Sequence, residues 1–469
     1  MSARVSVAFN DATLEPAPTW TELDAYPSLV ASYTIDRGRQ YELDRCDTGR
    51  ATVTINDTEG ILDPTNPAAA LPRLDPLVQV RLMRRNPVTG VWSTRFRGFV
   101  EEMNYEFDPS QRVNRLTVEL VDIFEIIAAI EMLPGTFGDP PPSDSAGQVF
   151  FDDTPNVPPP YGMQTRVWQV LDNAGIDVDT WSNVFSGNVS LHEAIYSAGE
   201  SAMTAIQDAC DAEFPSVGNV YGDRLGRLAV HGRYARFDPV GTAAATPGWD
   251  FHDWKAGDAA AVHASPTDTA HIRTFGMNRG LSKIVNQGLA IPIGDENGNK
   301  IPDDAIEGQR VDADGSIALY GIRPWSAQGL LTKYGITDAL GALDECQRFA
   351  EYYVSNYKAV KTVGGVDQRH PIYRVPAIGF RSMHPDALGA EANWAFLCTC
   401  DIADRVTVTV GSPGGGGFPV AGEPLASQHL IEGVHEEARP LQAGYDDVTL
   451  TLDLSPFAYQ ENNPFPPLP

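Results

Sequence analysis

A chain of 469 residues exceeds what one ordinary core accommodates, and at roughly 100–200 residues per domain it divides into about three units. Its formal charge of −28, from 62 acidic against 34 basic side chains, excludes a general nucleic-acid binder, whose phosphate contacts need clustered Lys and Arg. Five scattered cysteines, Cys46, Cys210, Cys346, Cys398 and Cys400, exclude a disulfide framework and point to a reducing compartment; with no signal-peptide core and no run of about 20 apolar residues, neither Sec secretion nor membrane insertion is expected.

The first distinctive segment, residues 36–67 (DRGRQYELDRCDTGRATVTINDTEGILDPTNP), joins an arginine turn, an alternating strand and a Gly/Pro turn. Gly38 between Arg37 and Arg39 permits a tight turn; the two guanidinium groups could hold an anion, but pairing with acids inside the domain or across a subunit contact is the preferred reading. Val53 and Ile55 alternate with Thr52 and Thr54, and Val78, Val80 and Leu82 with Gln79 and Arg81, the period of half-buried strands. Asn86–Gly90 (NPVTG) is a short polar loop into the next strand, Val91–Val100, and Leu116, Val118 and Leu120 mark another. Six arginines in this region (Arg73, Arg81, Arg84, Arg85, Arg95, Arg97) stand against the single acid Asp75, a patch expected to face a partner or solvent. Strands at such short spacing predict a barrel or sandwich. Asp122 then caps a helix in which Ile123, Ile126, Ile127 and Ile130 recur at helical spacing until Pro134.

Residues 134–160 hold eight prolines, which stiffen the chain and mark a boundary. Beyond it, Val167, Leu171 and Ala174 form one helical stripe and Met203, Ile206, Cys210 and Phe214 another, while Asp223–Gly226 reads as a turn between two short strands. This is a small mixed α/β unit. Residues 235–270, rich in Ala, Gly, Asp and Pro, read as a long surface excursion. Strand character returns at Ile284–Ile293 and at Ser316–Ile322, followed by a helix with Leu343, Cys346, Ala350, Tyr353 and Tyr357 on one face. In the last hundred residues three strands are predicted, from Trp394, Phe396, Cys398 and Cys400, from Val406, Val408 and Val410, and from Val448, Leu450, Leu452 and Leu454. Residues 401–469 carry ten acids and two bases, an asymmetry that suits stacking with other subunits.

Motifs for chemistry fail on inspection. Asp295, Asn297 and Asn299 begin like a calcium loop, but Lys300 stands where Gly is needed and Ile306 where a bidentate Glu is needed, so a polar hairpin tip is expected. His435-Glu436-Glu437 lacks the second His of a zinc-hydrolase helix, Arg439 occupying that place. Cys398 and Cys400 with His429 and His435 are read as core packing and not as a zinc set. Gly414–Gly417 is a flexible loop, since no Lys-Ser/Thr pair and no helix start follow it. No residue is assigned to catalysis, to a cofactor or to a metal, and none of these groups is expected.

These segments resemble, in order, tail-tip hub proteins of siphophages, called minor tail proteins in actinobacteriophages. The resemblance is carried by the 36–67 segment with LVQVRL and FRGFV, by AMTAIQDACDAEFPSVGNVYGDRLGRLAVHGR, by SKIVNQGLAIP with SIALYGIRPWS, by AEYYVSNY, and by CDIADRVTVTV through LIEGVHEEARP to TLTLDLSP. It implies kinship with contractile-tail baseplate hubs and type VI secretion spikes. The implied fold is α+β but mainly β, with two β-barrel tube-like domains, the second discontinuous, a mixed α/β insertion and a helix between strand groups. Mapped onto this chain, the first barrel spans 1–133, a Pro-rich linker 134–160, the insertion 161–274, the second barrel 275–330 and 375–458, a helical insertion 331–374 and a Pro-rich tail 459–469.

What the resemblance implies for function is a homotrimer that adapts a sixfold tail tube to a threefold tip, closes the tube and later forms part of the DNA ejection conduit in the virion. It would assemble in the bacterial host cytoplasm. Its partners would be a distal tail or tail tube protein, a tape measure protein and other tip proteins, with DNA passing unbound. Arg37 and Arg39 would then be subunit contacts. Two alternatives stay open: a hexameric distal tail protein, and a tail enzyme that degrades peptidoglycan or polysaccharide with an acid pair.

Overall fold

In a computed structural model the described residues are 3–23, 29–40, 44–66, 69, 71–108, 113–137, 148–152, 162–185, 187, 189–215, 219–232, 249–252, 274–275, 284–335, 340–363, 365–369, 377–387, 389–410, 425–440 and 445–456. The Gly414–Gly417 loop, the 459–469 tail and all but 249–252 of the 235–270 excursion lie outside them.

The fold is mainly β and is organised by one 13-stranded, largely antiparallel sheet. Its longer strands are β1 (Ala3–Ala8), β2 (Leu29–Gly38), β3 (Asp47–Asp57), β4 (Gln79–Arg85), β5 (Trp92–Asp108), β6 (Val113–Val121), β7 (Ala377–Arg381), β8 (Arg405–Val410), β9 (Leu425–Pro440) and β10 (Asp446–Pro456). Pairing runs β7-β10-β9-β2-β3-β6-β5-β4-β1, with β8 also on β9 and with short strands at both ends, Thr274–Phe275 and Thr21–Glu22. Alternation sets the faces: Ala51, Val53 and Ile55 of β3 and Leu116, Val118 and Leu120 of β6 are buried, while Arg50 and Glu119 of the same strands are exposed. The predicted alternation at Thr52–Ile55 and Leu116–Leu120 is therefore present.

Among the described residues no closed barrel is detected: the large sheet does not close on itself, and its two strand sets share one core in which Val53 and Val118 join Ile431, Val434, Leu450 and Leu452. The physical link is the β2–β9 pairing, which welds residues 33–38 to residues 433–438. Strand Gln287–Pro292 pairs with Pro324–Leu330 on one side and with Arg310–Asp312 on the other, in a separate three-stranded sheet.

Six helices matter for packing: α1 (Ile123–Ala129), α2 (Gly162–Asn173), α3 (Ala202–Glu213), α4 (Asp314–Tyr320), α5 (Ala342–Tyr357) and α6 (Ala390–Thr399). Asp122 caps α1 as predicted, its carboxylate accepting from Phe124 N at 3.0 Å, and it also accepts from Gly49 N at 3.0 Å, which ties the helix back to β3. Around α1, α2 and α3 a second core gathers Ile127, Val167, Leu171 and Ile206. The third core packs Cys346, Tyr353 and Tyr357 of α5 onto Phe214 and Ala290. Strands Gly135–Phe137 and Gln148–Phe151, within the proline-rich stretch, pair in a small sheet with Ala194–Ser197.

Two predicted strands are helices. Residues 394–400 belong largely to α6, whose Trp394, Phe396, Leu397 and Cys398 are all buried; a helix covered on nearly every side has lost the polar stripe that reveals helical period. Ser316–Ile322 falls mostly in α4, which ends at Gly321 with φ +71°, a C-terminal glycine whose N–H reaches Ile317 O at 2.9 Å. The 295–299 segment is a polar turn as expected, Asp295 Oδ1 accepting from the backbone N–H of Asn297 and Asn299, but it leads into a helical turn instead of a second strand.

Candidate functional site

The arginine turn singled out in the sequence lies at the β2–β9 seam. Across it Gly38 opposes Gly433, Arg37 opposes Val434, Asp36 opposes His435, and Ile35 opposes Glu436. Strand alternation sends Arg37, Glu432 and Glu436 into the protein and Asp36 and His435 outward.

Inside, the seam is built from buried ion pairs. Arg39 Nε donates to Glu432 Oε2 at 2.8 Å and Arg39 Nη1 to Asp44 O at 2.8 Å, while Ser455 Oγ donates to the other Glu432 oxygen. Glu436 accepts from both Arg84 and Arg95, the latter through Nε at 3.1 Å and Nη2 at 3.0 Å. The side chains of Arg84, Arg95 and Glu436 are at most 1% exposed. Remaining guanidinium donors meet Leu397 O and Cys400 O of the α6 end, each at 2.9 Å, and the Tyr33 hydroxyl. Two members of the arginine patch expected to face a partner or solvent therefore face the core, because a carboxylate of the second strand set reaches them there. Burial pushes the Glu436 carboxyl up, and Arg84 and Arg95 outweigh it, holding it below the usual glutamate value.

Arg37 marks a three-way junction. Its Nη1 donates to Asp401 Oδ1 at 2.8 Å and to Gly222 O at 3.2 Å, so β2, the 219–222 strand and the α6–β8 turn meet on one guanidinium. Arg224 N donates to Asp401 Oδ2 at 2.9 Å and Tyr221 Oη to Ile402 O at 3.1 Å. Around this point burial raises the carboxyls of Asp122 and Asp404, each to about 7, and raises that of Asp223. A carboxyl with a raised folded value stabilises fully below its unfolded value near 3.9 and loses that contribution as pH climbs to the folded one. Asp404→Asn should therefore match the parent near pH 4 and gain on it by up to about 1.4 kcal/mol per pH unit towards pH 7. Melting temperatures of both proteins across that range check this.

Outside, His435 bridges two strands, Nδ1 meeting Asp36 at 2.9 Å and Nε2 meeting Asp453 at 2.7 Å. The hydrogen bonds it donates to Asp36 and then to Asp453 raise it to about 10, so it carries its proton at neutral pH. The His-Glu-Glu run is a strand whose members alternate in and out, which removes the zinc-helix reading. Among the described residues no group of three or more His, Cys, Asp or Glu is placed to hold a metal ion, and the five cysteines are buried free thiols. A cavity of about 880 Å³ opens over the seam, lined by Asp36, Arg39, Arg45, Asp47, Arg50 and His435 among others.

The exposed face of the sheet is continuous across both strand sets. One row reads Thr449–Glu437–Thr34–Thr52–Glu119–Glu102, each residue directly opposite the next over six strands. A parallel row reads Ser32–Thr54–Thr117–Asn104. Hydroxyls, amides and carboxylates make up these rows, with no apolar side chain in them.

Sequence reasoning found Arg37 and Arg39 and placed them near acids; the structure brings both to one seam, 2% and 5% exposed, with their carboxylates supplied from the far end of the same chain. It missed Glu432 and Glu436. The signal was present: both share the parity of Val434 and Ala438, inward positions of a strand, and a charge there demands a buried counter-charge.

No family model matches the chain, and no curated protein matches it. Solved structures do. A tail protein from Neisseria meningitidis MC58 aligns over 99% of this chain and 99% of its own, at 9% identity and a TM-score of 0.48. The prophage tail protein gp18 from Listeria monocytogenes EGD-e aligns over 96% and 94%, at 11% identity and 0.40. The Francisella PdpA–VgrG complex, lidded, aligns over 99% of this chain and 53% of that one, at 9% identity and 0.45. At such values the likeness carries no functional argument. Among the described residues no helix is long and apolar enough to cross a membrane.

Proposed function

We propose that this chain is a structural protein of a phage tail tip, a hub subunit whose sheet forms part of the wall of a DNA conduit. The observation that carries this reading is the unbroken polar face running over six strands from both strand sets. Arg50, Arg381 and His435 of that face are each paired with a carboxylate (Glu101, Asp447, and Asp36 with Asp453), so its rows of hydroxyls and carboxylates offer a passing polyanion neither an unpaired cationic trap nor an apolar surface, and repulsion from a wall of net negative charge keeps DNA moving. The ordered segments that resemble tail-tip hubs support the same reading.

In this proposal three copies assemble, each contributing its two strand sets, so that six similar sets surround the axis and meet a sixfold tube. Residues 1–133 and 375–458 supply the two sets, joined as one sheet. Arg37 and Arg39 are bonded inside the subunit, so they act on assembly by fixing the seam. Action is by assembly and movement, without covalent chemistry.

Mass measurement and negative-stain imaging of the purified protein test the reading: trimers with a central opening are expected, and sixfold rings would favour the distal tail protein. Antibody to this chain should decorate the tail end of virions. Release of sugar or peptide fragments from bacterial cell walls, lost on substituting one carboxylate, would overturn the structural role.

A further inference from the structure

The arginine patch divides in two. Arg84 and Arg95 turn inward to Glu436, whereas Arg81 and Arg97 lie opposite one another on β4 and β5, on the other face of the sheet. Arg81 sits over the Trp20 ring at 4.6 Å and Arg97 over the same ring at 5.7 Å; Arg97 also stands 4.4 Å from the Trp181 ring. Like charges directly across a strand pair repel, and here no carboxylate separates them. Among the described residues Arg97 bonds only the Gln79 amide oxygen, at 2.7 and 3.3 Å, and Arg81 makes no hydrogen bond or ion pair. Glu22, the acid of the same cross-strand row, is engaged by Arg4 at 2.7 Å. Both residues are half-buried, and Arg81 Nε is buried without a hydrogen-bond partner.

We propose that Arg81 and Arg97, held on the Trp20 indole, form a carboxylate-binding site that takes an acidic side chain of a second copy of this chain. Indole stacking fixes the planes of the two guanidinium groups and leaves their N–H edges for a planar, two-oxygen acceptor. Charge complementarity names the occupant: a chain with 62 acids and a net charge of −28 presents carboxylates outside the conduit rows, such as Glu59, Asp303 and Glu391, on its surface. Against that background two half-buried arginines with no ion-pair partner among the described residues, reached by Glu22 and Asp223 only at longer range, are the unusual feature. Such a contact joins unlike surfaces, the kind that closes into a ring. The inference rests on the self-assembly proposed above and gives it a residue-level contact.

Sedimentation velocity of the full chain over a concentration series tests it, with parent, Arg81→Glu and Arg81→Gln. Arg81→Glu places a carboxylate opposite Arg97 within the subunit, so the melting temperature should hold or rise while self-association weakens by about tenfold or more. Arg81→Gln should weaken association without a change in melting, and high salt should weaken it in the parent. If the parent associates and both variants associate equally well, the site is overturned and the hub reading stands. A parent that stays monomeric at every concentration overturns both. Association kept in Arg81→Glu alongside lost retention on a phosphate-bearing column would mark a phosphate site and overturn the second-copy occupant.

Discussion

Glu436→Ala should cost about 3–5 kcal/mol of folding free energy, the largest loss expected of any single side-chain truncation at the seam. One carboxylate neutralises Arg84 and Arg95, and all three side chains are sealed from water. Removing it leaves two guanidinium charges in the core, with the Leu397 and Cys400 carbonyls, the Cys400 sulfur and the Tyr33 hydroxyl as uncharged acceptors. Desolvation of unpaired charge dominates the loss of any single hydrogen bond. The midpoint of urea unfolding, read with an unchanged slope, measures it; a loss below about 1 kcal/mol would mean that water reaches the arginines. Replacing the three residues together by apolar side chains of similar volume should recover most of the deficit, since the charges themselves are costly to bury. The pH dependence has a definite sign. Glu436 is held below its ordinary value, so its contribution is present above the unfolded value near 4.3 and disappears as pH falls through the lower folded one.

How much of this was legible depends on what each residue faces. Strands with one wet face announced themselves, as in Thr52–Ile55 and Val448–Leu454, because burial on one side imprints a period of two. Helices with one wet face did so as well, and α5 buries the predicted Cys346, Ala350, Tyr353 and Tyr357. Where neither face is wet no period is imprinted: α6 reads as a strand through Trp394, Phe396 and Cys398 because its burial is nearly complete. The arginine patch fails for a related reason. Counting charges along the chain treats neighbours as one surface, but Arg81 and Arg84 on one strand point to opposite sides of the sheet, and no local count reveals a partner such as Glu436 more than 300 residues away. Fusion of the two strand sets into one sheet is likewise a long-range pairing, invisible to any window of sequence.

Gly38→Ala carries the second large effect, and it bears on why the seam exists. Gly38 has φ +94°, a conformation that L side chains rarely adopt, at the bulge where β2 shifts register against β3 between Asp36 and Gly38. A methyl group there would strike the Glu432 carbonyl oxygen and stand 2.9 Å from the Gly433 Cα. That carbonyl is not free to move, because it accepts from Arg39 N at 2.9 Å, and the Glu432 side chain is fixed by Arg39 and Ser455. Relief therefore requires β2 and β9 to part. Positive-φ strain of about 1–3 kcal/mol adds to an overpacking cost of about 1–3 kcal/mol, giving a loss of about 3 kcal/mol or more. Differential scanning calorimetry should find the variant melting well below the parent, and limited proteolysis should cut within residues 29–38 or 429–440 before the helical core around Val167 and Ile206. Melting at the parent temperature would mean that the seam yields without cost. The glycine between two arginines is then read correctly as a backbone requirement, with a different purpose: it lets two strands from opposite ends of the chain approach closely enough for Arg37, Arg39 and their distant carboxylates to meet.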